Sequence, residues 1–220
     1  SEDRGSPQDR LVPPDLGEPP LDVRAPDDVP PPVDVQPSKD VPQPPPDLIP
    51  QLERDRNIRT MAINPAGYVI WLRPNHQQPP FNDPRARQAL LYLINQQDVL
   101  NAVGIRPSEQ VPYCPAYFLC GTPLESHAGA VGLREADIPR AQALLREAGY
   151  AGQRVVFLNA ADNPINNAAT LTMAEAFRKA GLNMDVPSMD WATVTQRRNR
   201  REPVDQGGWS LFVTVANVLD

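Results

Sequence analysis

The chain has few residues of the kinds that build catalytic and metal sites. Its 220 residues include two histidines, His76 and His127, and two cysteines, Cys114 and Cys120. The histidines stand in separate predicted loops, and neither has a Cys, Asp or Glu at the spacing of a zinc site. No phosphate-binding glycine motif and no GxSxG nucleophile elbow occurs in the sequence. The sequence therefore predicts that the protein is not an enzyme and uses no metal or cofactor.

Long apolar runs are also absent, so the sequence predicts no membrane-spanning helix. The N-terminus lacks an initiator Met and the basic and apolar regions of a signal peptide. We therefore expect that a targeting segment has been removed or that the chain is a fragment. The net charge of −6 is modest and does not indicate a nucleic-acid partner.

The acidic excess and the prolines are concentrated near the N-terminus. Residues 1–60 hold 13 acidic and 7 basic residues, whereas the remainder holds 14 of each. Of the 28 prolines, 15 lie in residues 1–50. Such a composition predicts an extended or disordered arm over residues 1–46 and a folded core from residue 47. The arm is interpreted as a solvated linker or a remnant of structure, with a PxxP-type ligand as the alternative.

The clearest helix signal begins at Asp83. A carboxylate at this position can accept the free amide protons of the first turn, and Pro84 suits the first helical position. Apolar residues then recur at spacings of three and four, which predicts one buried face; they are Ala86, Ala89, Leu90, Leu93 and Ile94.

The remaining pattern alternates strands and helices. Short helices are predicted at 47–53, with Asp47 as its cap, and at 98–100. Longer helices are predicted to begin at Asp137, Asn163 and Trp191, the last running to about residue 200. Strands are predicted at 58–63, 68–72, 154–159, 182–186 and 209–215. The strand–helix alternation after residue 154 favours a parallel or mixed sheet covered by helices.

Two local features leave alternatives open. The arginines that end the helix from Trp191 suit the negative end of a helix dipole, and a phosphate or nucleic-acid site is the alternative; they are Arg197, Arg198, Arg200 and Arg201. Cys114 and Cys120 could form a small-loop disulfide in an oxidising compartment or remain free thiols in the cytosol.

Several phrases resemble one protein family. The run PPFNDPRARQALLYLINQQDVL is similar to the signature of the solute-binding proteins of peptide and nickel ABC importers, extracytoplasmic solute-binding family 5. Further family-like phrases follow in order; they are AQALLREAGY, KAGLN, MDWAT and GWSLF. The loop CPAYFLCGTP resembles the paired-cysteine loop of one branch, which implies that Cys114 and Cys120 form a disulfide.

The resemblance covers residues 47–220 and implies an α/β periplasmic-binding-protein-like second lobe, with a mixed sheet and flanking helices. Such proteins close two lobes over a ligand like a clamshell. Family members are more than twice as long as this chain, which predicts a truncated or decayed product. The resemblance also implies a periplasmic or extracytoplasmic location, with a lipoprotein anchor possible in the full-length form.

The function implied by the resemblance is that of an ABC-importer component that captures a peptide or other small solute in an interlobe cleft. It would be a monomer that delivers its ligand to a membrane permease. The alternative is a sensor or interaction protein that uses the lobe and the Pro-rich arm. The predicted ligand-binding residues are Tyr68, Trp71, Tyr117, Phe118, Trp209 and Asn217, although core packing is the alternative for each aromatic residue.

One departure from the family bears on the ligand. Peptide-binding relatives place an acidic residue just after the Gly-Trp strand, where it meets the peptide's amino terminus. Here residues 215–217 are Val-Ala-Asn, and the next carboxylate is Asp220. Recognition of a peptide amine is therefore not predicted. Asn75 and Arg87 fit the family phrase and are predicted to have structural roles.

Overall fold

The computed structural model describes residues 48–61, 67–110, 112–117, 120–130 and 135–217, the last of these residues by its backbone alone. Within these ranges, no helix combines the length and apolar character needed to cross a membrane. The helices and strands, in chain order, are α1 (Ile49–Leu52), β1 (Tyr68–Pro74), α2 (Pro84–Leu91), α3 (Gln96–Val103), α4 (Ile138–Glu147), β2 (Arg154–Ala160), α5 (Pro164–Lys179), β3 (Asn183–Asp185), β4 (Ser188–Met189), α6 (Trp191–Arg197) and β5 (Leu211–Asn217).

The strands form one mixed sheet in the order β1-β5-β2-β3, with β4 also paired to β2. β2 runs parallel to β3, β4 and β5, whereas β1 runs antiparallel to β5. A parallel strand covered on both faces has a continuous apolar sequence, and every residue of β2 after Arg154 is buried. The predicted α/β fold with a mixed sheet and flanking helices is confirmed.

The helices from α2 to α6 begin at side chains that cap their first turns. Each cap accepts a hydrogen bond from a backbone N–H two or three residues further along, which satisfies an otherwise unpaired donor; the caps are Asp83, Asn95, Asp137, Asn163 and Asp190. In α2, α4 and α5 a proline also occupies one of the first two helical positions. The predicted starts at Asp83, Asp137 and Asn163 are confirmed.

The main core lies between one face of the sheet and helices α2 to α5. Phe157 of β2 stacks on Phe177 of α5, with ring centroids 6.2 Å apart and an interplanar angle of 21°. The predicted face of α2 is buried at Ala86, Ala89 and Leu90, and Leu93 lies just beyond its end. A smaller cluster on the other face of the sheet includes Val194 of α6, Trp209 and Phe212.

The predicted strand at 58–63 is wrong over its described part, since residues 58–61 form no strand. The apolar side chains in this stretch are not buried in the core, since Ile58 is 43% exposed and Met61 is 75% exposed. Residues 62 and 63 lie outside the described residues. The first helix starts at Ile49, with Leu48 at its N-cap position and no side-chain capping bond from Leu48. The cap predicted at Asp47 lies outside the described residues and stays a prediction.

Two boundaries are shorter than the sequence predicts. Helix α6 ends at Arg197, not near residue 200. Strand β5 begins at Leu211, not at Trp209. The Ser210 N–H donates to the Val156 carbonyl of β2 at 2.8 Å as the chain enters the sheet. The arm predicted over residues 1–46, and with it the boundary at residue 47, lies outside the described residues and stays a prediction.

Candidate functional site

The outward side chains of β1 and β5 define a surface that we call the groove face: Trp71, Arg73, Phe212 and Thr214. In the antiparallel register Trp71 lies opposite Thr214, and Arg73 lies opposite Phe212. Residues directly opposite each other project from the same face of a sheet, and successive residues alternate between faces. The intervening residues Leu72 and Val213 accordingly pack into the main core. The groove face is therefore the side of the sheet turned away from helices α2 to α5.

Trp71 is the aromatic centre of the groove face. Its ring stacks on Tyr117, with centroids 5.8 Å apart and an interplanar angle of 18°. The guanidinium of Arg73 lies 4.8 Å from the Trp71 ring centroid, within the range of a cation–π contact. The indole Nε1 of Trp71 is buried and has no hydrogen-bond partner within the described parts of the chain. Neighbouring rings and charge, and not a hydrogen bond, thus hold the tryptophan.

Tyr117 reaches Trp71 from a loop that is closed by a disulfide. The structure joins Cys114 and Cys120, whose Cα atoms are 5.7 Å apart, as the resemblance implies. The Gln96 side chain donates to the Cys114 carbonyl at 2.6 Å and accepts from the Cys114 N–H at 3.2 Å. The loop is therefore fixed to the first turn of α3 as well as closed on itself. Tyr117 is itself 66% exposed, so this loop carries an aromatic ring to the surface.

Trp209 lies at the edge of the groove face and is only 9% exposed. Its ring meets Phe212 edge to face, with centroids 5.2 Å apart. The Asn75 side chain donates to the Trp209 carbonyl at 3.0 Å, and the Asn75 N–H donates to the Ser210 carbonyl at 2.8 Å. Asn75 Oδ1 also accepts from the Gln77 N–H at 3.0 Å. Asn75 therefore clamps the end of β1 to the entry of β5, which is the structural role predicted for it.

Arg87 also has a structural role. Its guanidinium donates to the carbonyl of Phe81 at 2.7 Å and to that of Asn82 at 3.1 Å. These bonds tie α2 to the loop before it.

Two open grooves lie along this region. One has a volume of about 460 Å³ and is lined by Arg73, Arg198, Asn199, Phe212 and Thr214. The other has a volume of about 330 Å³ and is lined by residues 74–77, residues 198–201 and Trp209. They share Arg198 and Asn199, so they adjoin each other along the segment that follows α6. None of the lining residues is acidic.

The arginine run at the end of α6 divides into two parts. Arg197 donates to the carbonyls of Gly207 and Gly208, each at 3.1 Å. Burial lowers the pKa of Arg197, and the nearby charge of Arg200 lowers that pKa further. The helix ends there, and residues 198–201 turn toward the grooves. The role predicted for the run at the helix end thus applies to Arg197, whereas Arg200 and Arg201 lie beyond the helix.

The predicted ligand-binding residues are only partly brought together. Trp71 and Tyr117 are stacked, and Trp209 lies beside Phe212 on the same side of the sheet. Tyr68 is 53% exposed, but alternation along β1 assigns it to the opposite face. Asn217 lies opposite Tyr68 in the register. Phe118 and the side chain of Asn217 lie outside the described residues. The ligand-binding role of all six residues stays a prediction.

A second cluster lies in the loop after the disulfide. Cys120, Glu125 and His127 place potential ligand atoms within 4.8 Å of one another. The backbone N–H of Gly121 and the His127 ring, 2.7 Å and 2.6 Å away, lower the pKa of Glu125. Since the Cys120 sulfur is bonded to Cys114, only two groups remain as ligands. Two ligands are fewer than the four of a structural zinc site.

Sequence reasoning names Arg198, through the alternative phosphate or nucleic-acid site at the end of α6, but it does not identify Arg73, Asn199 or Thr214, which line the larger groove with it. The alternation of Trp71 and Arg73 along one strand is a signal that places them on one face. The pairing of β1 with β5 and the approach of residues 198–201 are not visible as local patterns.

Comparison with known proteins identifies the chain's family. A family model described as bacterial extracellular solute-binding proteins, family 5 Middle, matches residues 38–217. The chain belongs to this family. The family is one of solute-binding proteins, not of enzymes.

Two curated relatives agree with this assignment. A probable peptide ABC transporter periplasmic-binding protein of Sinorhizobium fredii (strain NBRC 101917 / NGR234) is 38% identical over 180 residues, which cover 78% of this chain and 32% of the relative. The periplasmic oligopeptide-binding protein OppA of Escherichia coli (strain K12) is 28% identical over 152 residues, or 67% of this chain and 28% of the relative. The chain thus spans less than a third of the length of these relatives.

Solved structures of the family share the fold. NikA from Staphylococcus aureus, in complex with Ni(L-His)2, superposes with a TM-score of 0.60 at 17% identity, covering 79% of this chain and 35% of that one. The periplasmic binding protein DppA from Helicobacter pylori, in complex with the peptide STSA, gives a TM-score of 0.56 at 21% identity, covering 79% and 31%. At these identities the likeness shows that the described residues have the fold of a periplasmic binding protein.

Proposed function

We propose that this chain carries part of the ligand site of an ABC-importer substrate-binding protein that captures a peptide or another small solute. The observation that carries the proposal is the groove face, where the rings of Trp71 and Phe212 adjoin the polar side chains of Arg73 and Thr214, on a chain that belongs to a solute-binding family. Ligand sites combine apolar and aromatic walls with a few polar groups that fix orientation. The groove face supplies both kinds of group.

The proposed mechanism is capture followed by delivery. A solute would lie against Trp71, Tyr117 and Trp209, and the remainder of a full-length protein would close over it. Delivery to a membrane permease would follow, in a periplasmic or extracytoplasmic location and with a lipid anchor as an option for the full-length protein. We expect a monomer with no nucleic-acid partner and no catalytic activity.

The proposal is tested by calorimetric titration of the chain with a mixed tripeptide pool and with a non-peptide solute pool. Trp71→Leu is expected to weaken binding roughly 10-fold, since buried aromatic anchors dominate such sites. Tyr68→Leu gives a matched comparison, because Tyr68 lies on the opposite face of the same strand. We expect it to change affinity less than about 2-fold, that is, by less than about 0.4 kcal/mol.

Equal losses in the two variants would overturn the assignment of the ligand to the groove face. A folded chain that binds no member of either pool would overturn the proposed function of this chain. Circular dichroism of each variant shows whether it is folded, so loss of binding and loss of structure are separated.

A further inference from the structure

The loop closed by the disulfide carries four potential metal ligands within 14 residues of sequence; they are Cys114, Cys120, Glu125 and His127. The Cys120 sulfur, a Glu125 carboxylate oxygen and a His127 ring nitrogen all lie within 4.8 Å of one another. The Cys114 sulfur is bonded to that of Cys120. The ligand atoms of all four residues are therefore gathered at one point of the loop.

Turns in the backbone bring Glu125 back to the disulfide. Gly121 has a φ of 82°, in the left-handed region, so the chain reverses directly after Cys120. The Gly121 N–H donates to Glu125 Oε2 at 2.7 Å, and the Glu125 N–H donates to the Thr122 carbonyl at 3.0 Å. The His127 ring lies 2.6 Å from Glu125 Oε1. Local contacts thus hold the carboxylate and the imidazole beside Cys120.

The sulfur side of the cluster is also supported. Gln96 fixes the backbone of Cys114 to α3, and the Cys120 N–H donates to the Cys114 sulfur at 3.0 Å. A hydrogen bond of this kind stabilises a negatively charged ligand, and such outer contacts accompany most metal sites. Cys114 is buried and Cys120 half-buried, whereas Glu125 and His127 are exposed. An ion can therefore enter from the solvent side and meet the sulfurs beneath.

The state of the disulfide decides how many ligands the cluster offers. With the S–S bond formed, only the carboxylate and the imidazole remain. With the bond reduced, two thiolates join them, and four such ligands complete a closed zinc site. A tetrahedral zinc ion with bonds of about 2.0–2.3 Å sets its ligand atoms roughly 3.3–3.8 Å apart. The observed limit of 4.8 Å lies close to this spacing, and reduction allows the two sulfurs to separate to it.

We propose that the chain binds one zinc ion in this loop when the disulfide is reduced, with Cys114, Cys120, Glu125 and His127 as ligands, and that formation of the disulfide releases the ion. Soft thiolates together with an imidazole favour zinc over calcium and magnesium, which prefer sites made of oxygen ligands alone. The site is separate from the groove face, so it stands or falls independently of solute capture. A chain that has not yet been oxidised carries the two thiols that the site requires.

The exchange between the two states is balanced in both directions. A dithiol reductant supplies two electrons and two protons, so the S–S bond breaks, two thiols form and the reductant becomes a cyclic disulfide. Zinc then replaces the two thiol protons, which pass to the solvent. In reverse, oxidised glutathione accepts two electrons from the zinc-bound thiolates and leaves as two glutathione thiolates. The bond between Cys114 and Cys120 forms again, and the zinc ion departs.

The first experiment compares metal binding in the two states. The chain is reduced with dithiothreitol, freed of it by anaerobic gel filtration and titrated with Co²⁺, a coloured substitute for zinc. One cobalt ion per reduced chain is expected, with a thiolate charge-transfer band and the visible bands of a tetrahedral ion, and zinc displaces it. Zinc binding, measured by competition with a chromophoric chelator, is expected to be at least roughly 100-fold tighter than in the oxidised chain. Equal affinity in the two states would overturn the proposal.

Substitutions test the two ligands that are not sulfur. Glu125→Gln and His127→Gln are each expected to weaken zinc binding by the reduced chain roughly 10- to 100-fold. Glu135→Gln is the matched control, because Glu135 is exposed and lies outside the cluster, and its replacement removes the same charge. An equal loss in Glu135→Gln would show an effect of net charge and overturn the site. Wild-type affinity in both ligand variants would leave two thiolates as the only ligands and also overturn it.

The second experiment tests release and the need for the fold. Oxidised glutathione is added to the zinc-loaded chain, and free thiols and free zinc are followed together. One zinc ion is expected to leave for each pair of protein thiols lost; thiol loss without release would contradict the mechanism. Circular dichroism monitors the fold of the reduced chain, and urea unfolding is expected to weaken its zinc binding, because the fold gathers the ligands. Unchanged affinity in urea would overturn the site.

Discussion

Asn75 joins the two strands that build the groove face, and replacing it by alanine tests that arrangement. Asn75 is 6% exposed, and its side chain bonds the Trp209 carbonyl at 3.0 Å and the Gln77 N–H at 3.0 Å. Asn75→Ala removes both bonds and leaves the buried carbonyl without its side-chain donor. An unsatisfied buried group costs about 1–3 kcal/mol, and an ordinary hydrogen bond contributes about 0.5–1.5 kcal/mol. We therefore expect the free energy of unfolding to fall by roughly 2–4 kcal/mol.

The assay is urea unfolding followed by tryptophan fluorescence and by circular dichroism, with the free energy taken from the midpoint and slope. Asn82→Ala is the matched control, because Asn82 is exposed and bonds its neighbours through the backbone alone within the described residues. Surface changes of this kind stay within about 0.5 kcal/mol. If Asn75→Ala lies within about 0.5 kcal/mol of Asn82→Ala, the bonds to Trp209 and Gln77 do not hold the strands together, and the reasoning is refuted.

Two further predictions concern the N-cap of α2 and the loop closed by the disulfide. Hydrogen bonds from the Arg85 side chain and backbone lower the pKa of Asp83 to about 2 from its ordinary value of 3.8. A depressed pKa contributes stability that is present above the unfolded-state value and lost as pH falls through the folded-state value. The stability difference between wild type and Asp83→Asn, measured by urea unfolding, should therefore be constant above about pH 5 and shrink as pH falls toward 2; a difference independent of pH would contradict this. Replacing both Cys114 and Cys120 by serine should lower the free energy of unfolding by about 2 kcal/mol, from the entropy of a short closed loop. It should also raise the mobility of Tyr117, seen as a change in tryptophan fluorescence; unchanged stability and fluorescence would show that the loop is held by other contacts.

The sequence correctly predicts features that depend on a few adjacent residues, above all the starts of the helices. Asp83, Asp137 and Asn163 each precede a proline or an apolar stripe, and each caps the helix that follows it. Capping depends on a few adjacent residues, so a short stretch contains the whole signal. The run at 58–63 shows the limit of such patterns. Its β-branched residues are compatible with a strand, but residues 58–61 pair with no strand in the part of the chain that the structure describes.

The candidate site depends on pairings between distant segments. The ring of Trp71 is visible in the sequence as a candidate ligand contact, whereas Arg73 lies opposite Phe212 only because β1 pairs with β5. Arg198 gains its position because α6 ends at Arg197. Neither fact follows from composition or periodicity, since both depend on tertiary packing. The sequence therefore identifies part of the aromatic site and names Arg198 as part of an alternative phosphate or nucleic-acid site, whereas the place of Arg73 beside the groove depends on the tertiary structure.

The two glycines before Trp209 link these separate facts. Gly207 has a φ of 90°, which L side chains rarely adopt, and a Cβ on Gly208 would lie 1.9 Å from the Glu202 carbonyl oxygen. The chain can therefore turn tightly here, and the carbonyls of both glycines face the Arg197 guanidinium. That contact ties the last residue of α6 to the glycine turn.

The next residue, Arg198, lines the larger groove beside Phe212. The same turn delivers Trp209 to its bond with Asn75 and Phe212 to its place opposite Arg73. The glycine pair thus contacts Arg197 at the end of α6 and leads directly into Trp209. A side chain on Gly208 would clash with the Glu202 backbone, so a substitution there is expected to shift the turn that leads into Trp209.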